Sequence, residues 1–276
     1  MWPKNASISQ IITYITVTLL LSIGTALLLN NNPEKFGALA GLWLVIPTMT
    51  AVTLNIIHHG GFDKVYSAVF TGTTKSSIIF AILYPLGLLL VLAVTALLTG
   101  LAEFNTGNLP TAVDLIKSLI NLLLIMIITF GEEYGWRGFL LPALQNRYDK
   151  IKAIILVGII WALYQVPSIY LGANQFGSHD ALTAGLVQGA HILTISFPLA
   201  YCYFLTKGSI IPIMLYRAVW SVASSLVLGE AESSHTLLVG NYTLFNGYIP
   251  LELILNTLAV FWFIKKLRLK SASDTD

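Results

Sequence analysis

The sequence has little charge and only one cysteine. Asp, Glu, Lys and Arg make up 10% of its 276 residues, whereas soluble domains carry about 25%. With 56% hydrophobic residues, too few polar side chains remain to cover a surface facing water, which excludes an ordinary soluble protein. The lone Cys202 cannot form an internal disulfide and is expected in the core or against lipid. The net charge of +2 gives no sign of nucleic-acid binding, and no nucleic-acid partner is expected.

Long apolar runs dominate the chain and are continuous rather than alternating, which favours transmembrane helices over a closed barrel. The fold class predicted is therefore all-α, a polytopic transmembrane helical bundle of about eight spans. We expect residues 1–276 to form one integral membrane domain. The predicted spans are 10–29, 37–57, 77–99, 113–131, 152–172, 182–206, 208–228 and 248–264.

The basic residues favour a topology in which both termini are cytoplasmic. In that orientation nearly all of the 15 Lys and Arg residues lie on the cytoplasmic side, as the positive-inside rule requires. The exceptions are Lys35 and Lys117, which fall outside, and Arg217, which lies within a span. We expect an integral protein of the cell (plasma) membrane.

Two carboxylates and a guanidinium stand at the end of the fourth span, in the segment GEEYGWR at 131–137. The charge-free run before them would extend about 21 Å as a helix, so the carboxylates end a short span or lie within the membrane. Ionisable groups there are costly and are retained mainly for function or for pairing. Glu133 and Arg137 are four residues apart and can pair on one helix face. The alternative is an interfacial ion pair, although one Arg cannot neutralise Glu132 as well.

The segment EEYGWRG at 132–138, followed by FLLPAL at 139–144, resembles the first motif of the CAAX protease and bacteriocin-processing (CPBP) family. Members of this family are intramembrane endopeptidases related to the type II CAAX prenyl protease. The segment WALYQVP at 161–167 resembles the second motif, and MLYRAVWS at 214–221 resembles the last one. The resemblance covers about residues 113–230, which we interpret as a CPBP-like core.

The first motif is intact. The resemblance implies that Glu132 is the general base or water activator, that Glu133 is a second polar carboxylate, and that Arg137 is its charge partner. These three are the candidate catalytic residues.

The other two motifs are degenerate. The aromatic Trp161 is present, but Gln165 stands where the family has histidine. In the last motif Arg217 and Ser221 replace histidine and asparagine. We expect all four of these residues to line the site.

The substitutions weaken the case for a metal. The family implies a divalent ion, with zinc the expected one, held by groups such as neutral imidazole. Glutamine cannot act as a base, and arginine stays protonated and repels a cation. No metal or other cofactor is therefore expected. An unpaired Arg217 at mid-span would cost about 2.5 to 3.5 kcal/mol. We hypothesise that it lies opposite Glu132 or Glu133, so that the charges of these residues and Arg137 cancel.

His191 is the best candidate to replace the missing histidines because it falls within the sixth predicted span. The favoured alternative is a buried histidine hydrogen-bonded to a backbone carbonyl. We interpret Glu252 as an acid of the last external region, and the remaining histidines as loop residues, namely His58, His59, His179 and His235.

Three functions stay open at this point. The resemblance implies an intramembrane endopeptidase, in contact with membrane lipid, that acts on lipidated or membrane-embedded peptides. The degenerate motifs favour a non-catalytic pseudoprotease, acting as a membrane binding or bacteriocin-immunity-type protein. A small transporter has little support because no paired broken-helix repeat is visible.

Overall fold

The computed structural model describes residues 5–31, 40–59, 63–107, 109–175, 181–230, 235–240 and 248–273. They are almost entirely helical, which confirms the all-α prediction. The helices are α1 (Ile8–Asn31), α2 (Ala40–Trp43), α3 (Ile46–His59), α4 (Asp63–Phe70), α5 (Lys75–Leu98), α6 (Ala112–Glu133), a π-helix (Tyr134–Leu140), α7 (Leu141–Gln145), α8 (Lys150–Gln175), α9 (Ala181–Phe204), α10 (Ile211–Val227) and α11 (Tyr248–Ser273).

Within the described residues, 5 helical segments are long and apolar enough to cross a membrane. They are Ile8–Leu29, Lys75–Leu98, Ala112–Gln145, Lys150–Pro167 and Gly185–Phe204. A polytopic helical membrane bundle is thereby confirmed. The predicted spans 208–228 and 248–264 correspond to the shorter α10 and to α11, whereas 37–57 corresponds to α2 and α3 and begins outside the described residues. A count of eight spans stays a prediction.

The bundle has α10 near its centre, packed between α5 and α6. Helix α8 packs along α9, which also contacts α11, and α1 contacts α8 and α3. Large aromatic and aliphatic side chains fill the core, and Cys202 is buried there. The opposite face of α6 is apolar but open, with Leu119, Leu123 and Ile127 at least 63% exposed. Such a face is costly in water and is expected where lipid covers it.

A small sheet that the sequence analysis did not predict joins the ends of α5 and α10. Strand β3 (Leu238–Gly240) lies in the middle, antiparallel to β1 (Ala102–Phe104) and parallel to β2 (Leu228–Glu230). Strands of three residues are too short to show a period-two pattern. Because β1 follows α5 and β2 follows α10, the sheet anchors α10 beside α5 at this end.

Helix α6 begins with a capping box and continues without a break into the π-helix. The side chain of Asp114 accepts a hydrogen bond from the backbone N–H of Thr111, and the side chain of Thr111 accepts one from the backbone N–H of Asp114. At the far end the N–H of Leu141 donates to the carbonyl of Trp136, an i→i+5 bond. The spacing of Glu133 and Arg137 had predicted ordinary α-helical geometry here. A π-segment is a feature often found at functional sites.

Glycines allow this region to lie directly against α3. A Cβ on Gly131 would overlap the backbone carbonyl oxygen of Leu44, and one on Gly135 would lie 2.6 Å from Cβ of Pro47. Thr48 Oγ1 also donates to the carbonyl oxygen of Phe130 at 2.9 Å. These contacts fix the end of α6, and therefore the side chains that follow it.

We predict that Gly135→Ala lowers the free energy of unfolding by about 1 to 3 kcal/mol, because the added methyl group overpacks the contact with Pro47. Thermal unfolding of the detergent-purified protein measures this loss. The matched control is Gly87→Ala in α5, where an added Cβ would meet nothing within 4 Å. Equal melting temperatures for the two variants would show that the close approach is not as described.

Candidate functional site

The first part of the site lies where α6 meets the π-helix. Glu132, Glu133 and Arg137 are at most 1% exposed. Arg137 Nη1 donates to both carboxylate oxygens of Glu133, each at 3.0 Å. The pair predicted from the spacing is confirmed, although Arg137 belongs to the π-helix rather than to α6.

Arg217 reaches the same carboxylates from α10. Its Nη1 atom donates to Oε2 of Glu132 at 2.6 Å and to Oε1 of Glu133 at 3.0 Å. The hypothesis that Arg217 lies opposite these acids is confirmed. A single guanidinium nitrogen thus bridges two carboxylates that are adjacent in the sequence, while the side chain keeps 26% of its surface exposed.

Gln165 of α8 completes the contacts of Glu132. Its Nε2 atom donates to Oε1 of Glu132 at 3.0 Å. Both oxygens of Glu132 therefore accept hydrogen bonds, one from a permanent cation and one from a neutral amide. At this position an amide nitrogen donates but cannot take up a proton, unlike an imidazole.

Trp161 lies one helical turn before Gln165 and faces both guanidinium groups. The Cζ atom of Arg137 is 4.4 Å from the ring centroid, and that of Arg217 is 5.4 Å from it. Nε and Nη2 of Arg137 are buried without a hydrogen-bond partner in the described part of the chain. The face of the indole ring offsets part of this deficit through a cation–π interaction.

The charges of the four ionisable residues cancel, two negative and two positive. Burying them costs several kcal/mol per ion, which only close pairing offsets. The arrangement needs α6, the π-helix, α8 and α10 together, because each contributes a side chain. The charges that were expected from the sequence to cancel therefore also lie in direct contact.

The residues present do not fit a divalent metal. Catalytic zinc takes three protein ligands and a water. Among the described residues no group of three or more His, Cys, Asp and Glu side chains could hold an ion. The position between Glu132 and Glu133 is instead taken by Nη1 of Arg217, a cation that cannot be a ligand.

A cavity of about 410 Å³ opens beside this cluster. Its polar wall includes Trp161, Gln165, Arg217 and Ser221, the last one helical turn beyond Arg217 on α10. All seven site residues predicted from the sequence are thus brought together around one cavity or buried beneath it. Its volume falls in the range of about 300 to 1,000 Å³ that is usual for ligand pockets. Aliphatic side chains complete the lining, namely Leu88, Ile125, Ile128, Ile192, Ile195 and Leu199.

An acid and a histidine in the lining of this cavity were not predicted from the sequence. Glu252 of α11 and His191 of α9 line it together, with His191 Nε2 3.7 Å from Glu252 Oε1. Glu252 is therefore not an acid of an external region. Its place inside the predicted span 248–264 could have signalled this, because ionisable residues within spans usually face the bundle interior. The expected bond of His191 to a backbone carbonyl is absent at Nδ1, which has no hydrogen-bond partner among the described residues.

The described side chains of His58 and His235 are not among the residues that line the cavity. His235 was interpreted as a loop residue; its side chain is 42% exposed, and its Nδ1 atom lies 2.7 Å from Oδ2 of Asp114 at the start of α6. His58 is exposed at the end of α3 rather than in a loop. His59 ends the same helix, and His179 lies outside the described residues.

Comparison with known proteins gives a consistent family. Residues 114–223 match the family described as type II CAAX prenyl endopeptidase Rce1-like. CAAX prenyl protease 2 of Methanococcus maripaludis is 34% identical over 101 residues, which are 36% of this chain and 35% of that protein. Lysostaphin resistance protein A of Staphylococcus epidermidis is 32% identical over 114 residues, or 40% of this chain and 30% of that protein.

The matched region runs from α6 to α10 and contains all seven predicted site residues. The resemblance to the CPBP family is thereby confirmed. The matches span about a third of the length of these curated relatives.

We predict that Arg217→Gln lowers the free energy of unfolding by about 3 to 5 kcal/mol, because it leaves a buried carboxylate without its cation. In a Glu132→Gln background the same change should cost less, with a coupling energy of about 0.5 to 3 kcal/mol. Denaturant unfolding of the four proteins of this cycle measures it.

The control is Lys152→Gln, since Lys152 Nζ lies 3.3 Å from Oδ2 of Asp149 but the two side chains are 72% and 53% exposed. We expect a change within about 0.5 kcal/mol there. Additive effects of the Arg217 and Glu132 substitutions would contradict the bridge.

Proposed function

We propose that this chain, with its CPBP-type core in an integral membrane protein, is a CAAX-protease-like pseudoprotease. It receives a lipidated or membrane-embedded peptide in the cavity beside Arg217 and does not cleave it. In this role it is a membrane binding or immunity-type protein. The observation that supports this best is Nη1 of Arg217, which contacts both Glu132 and Glu133.

The chemistry of hydrolysis explains why this contact matters. A carboxylate that activates water must reach the water molecule and accept its proton. Each carboxylate oxygen of Glu132 already accepts a hydrogen bond, one from Gln165 and the other from Arg217. Arg217 also takes the place where an ion or a water molecule would have to lie between the two acids. The first motif is intact, but each oxygen of Glu132 already accepts a hydrogen bond from a side chain of another helix.

The cavity supports a ligand that is part peptide and part hydrocarbon. Its polar wall offers donors from Arg217, Gln165 and Ser221, which can satisfy peptide groups that find no water in a bilayer. The aliphatic wall on α5, α6 and α9 suits a lipid tail or an apolar side chain. Membrane lipid is the expected neighbour of the open apolar face of α6.

A second candidate is a residual glutamate-type endopeptidase. It is favoured by the matched positions of Glu132, Glu133 and Arg137 within the family region. In this function Glu132 would activate water after the entry of a peptide displaces Arg217. The partial exposure of Arg217 gives it room to move, and its guanidinium would then stabilise the oxyanion. Neither function draws on a metal.

The proposed protein lies in the plasma membrane with both termini cytoplasmic, on the strength of the distribution of basic residues. We predict that a fluorescent protein fused to either end fluoresces in cells, and that alkaline phosphatase fused to either end is inactive. Active phosphatase at one end would mean an odd number of spans. Activity at both ends would mean the inverted orientation.

We predict binding without turnover. The purified protein in lipid nanodiscs should bind members of a panel of lipidated peptides and leave them intact, with or without added zinc. Fluorescence anisotropy measures binding, and mass spectrometry measures products. Glu132→Ala is the matched variant. Cleavage by the wild type that is lost in Glu132→Ala would contradict the pseudoprotease and establish the second candidate.

A further inference from the structure

The lining of the cavity also includes an incompletely paired acid, Glu252. The side chains of His191 and Glu252 are 13% and 14% exposed. Their nearest polar atoms are 3.7 Å apart, which is too long for a hydrogen bond. Asn256 Nδ2 approaches Oε1 of Glu252 at 3.4 Å, at the weak end of the range. Both the acid and the imidazole therefore retain capacity for a further partner.

The charges around the cavity favour a cation as that partner. The charges of Glu132, Glu133, Arg137 and Arg217 already cancel among themselves. None of the described Lys or Arg side chains forms a salt bridge with Glu252. A carboxylate in a low-dielectric site without a cation is costly. An anionic ligand would add to that cost, whereas a cationic ligand would remove it.

We propose that Glu252 and His191 form a subsite for an ammonium group. The group is the lysine side chain of the lipidated or membrane-embedded peptide that occupies the cavity. This inference rests on the proposed function, since it identifies the chemistry of the same ligand. No role for either residue follows from the three family motifs.

The geometry suits an ammonium nitrogen. Two acceptor atoms 3.7 Å apart can both lie about 2.9 Å from one nitrogen. A neutral imidazole offers one acceptor, a carboxylate offers several, and an ammonium group has three donors to share. Gln188, three residues before His191 on α9, lines the same wall with a further amide. A divalent metal would find only two strong ligands here, which is too few for a stable protein site.

The rest of the cavity accommodates the stem of such a side chain. Leu88, Ile125 and Ile195 line the wall that the methylene groups of lysine would follow. Lysine commonly lays its hydrocarbon stem on an apolar surface and extends its charge to a polar partner. The subsite would therefore select peptides by one cationic residue near their membrane-embedded part.

The test compares two lipidated peptides that are identical except for one residue, lysine in the first and acetyl-lysine in the second. Binding to the full-length protein in nanodiscs is measured for each by fluorescence anisotropy. The wild type should bind the lysine peptide about tenfold more tightly. Glu252→Gln should abolish this preference by weakening only the lysine peptide. Glu103→Gln, at an exposed position on β1, should leave it unchanged.

A second variant decides the case if Glu252→Gln does not fold. His191→Lys places an ammonium group of the protein itself beside Glu252, and the lysine peptide should then lose its advantage. Equal binding of the two peptides to the wild type would overturn the ammonium subsite and leave the proposed function standing. Failure of both peptides to bind the wild type would overturn the proposed function itself. Ile125→Trp, which fills the cavity, should weaken both peptides, whereas Leu124→Trp on the exposed side of α6 should weaken neither.

Discussion

The contact of one guanidinium nitrogen of Arg217 with two adjacent carboxylates is the interaction on which the site depends. Glu132 and Glu133 are buried in the bundle, where neither could remain charged at low cost without a cation. Arg137 donates hydrogen bonds to Glu133, four residues earlier in the chain, and not to Glu132. Arg217 supplies the second positive charge and links α10 to α6 in doing so. Helix α10 is packed between α5 and α6, with the small sheet at its end. This packing therefore keeps the charged side chains in contact as well as burying the apolar ones.

The sequence predicted the ionic part of this site and little of its surroundings. Spacing indicated the pair of Glu133 and Arg137, and the cost of a lone mid-span arginine indicated that Arg217 had to find an acid. The π-helix could not be predicted, because its i→i+5 bonds depend on packing against α3 rather than on local propensity. The three-residue strands carry no periodic signal. Glu252 was misplaced although it lies inside the predicted span 248–264; only its partner His191, on a helix far away in the sequence, could not be predicted.

Together, the site and the cavity support the proposal of a CPBP-like core that holds a peptide without cleaving it. At positions where the family uses histidine, Gln165 and Arg217 donate hydrogen bonds to Glu132, so the first motif becomes an acceptor for structural contacts. The cavity still has polar and aliphatic lining residues, and these include Glu252, which forms no salt bridge with a described Lys or Arg. The proposed loss of turnover and the proposed retention of binding would both follow from these substitutions.

The most direct test is a crystal structure of the protein grown in lipid with excess zinc, with anomalous diffraction recorded at the zinc edge. We predict that Nη1 of Arg217 lies within hydrogen-bond distance of both Glu132 and Glu133, and that no anomalous peak lies between these carboxylates. A zinc peak there, with the Arg217 side chain displaced into the cavity, would contradict the central claim.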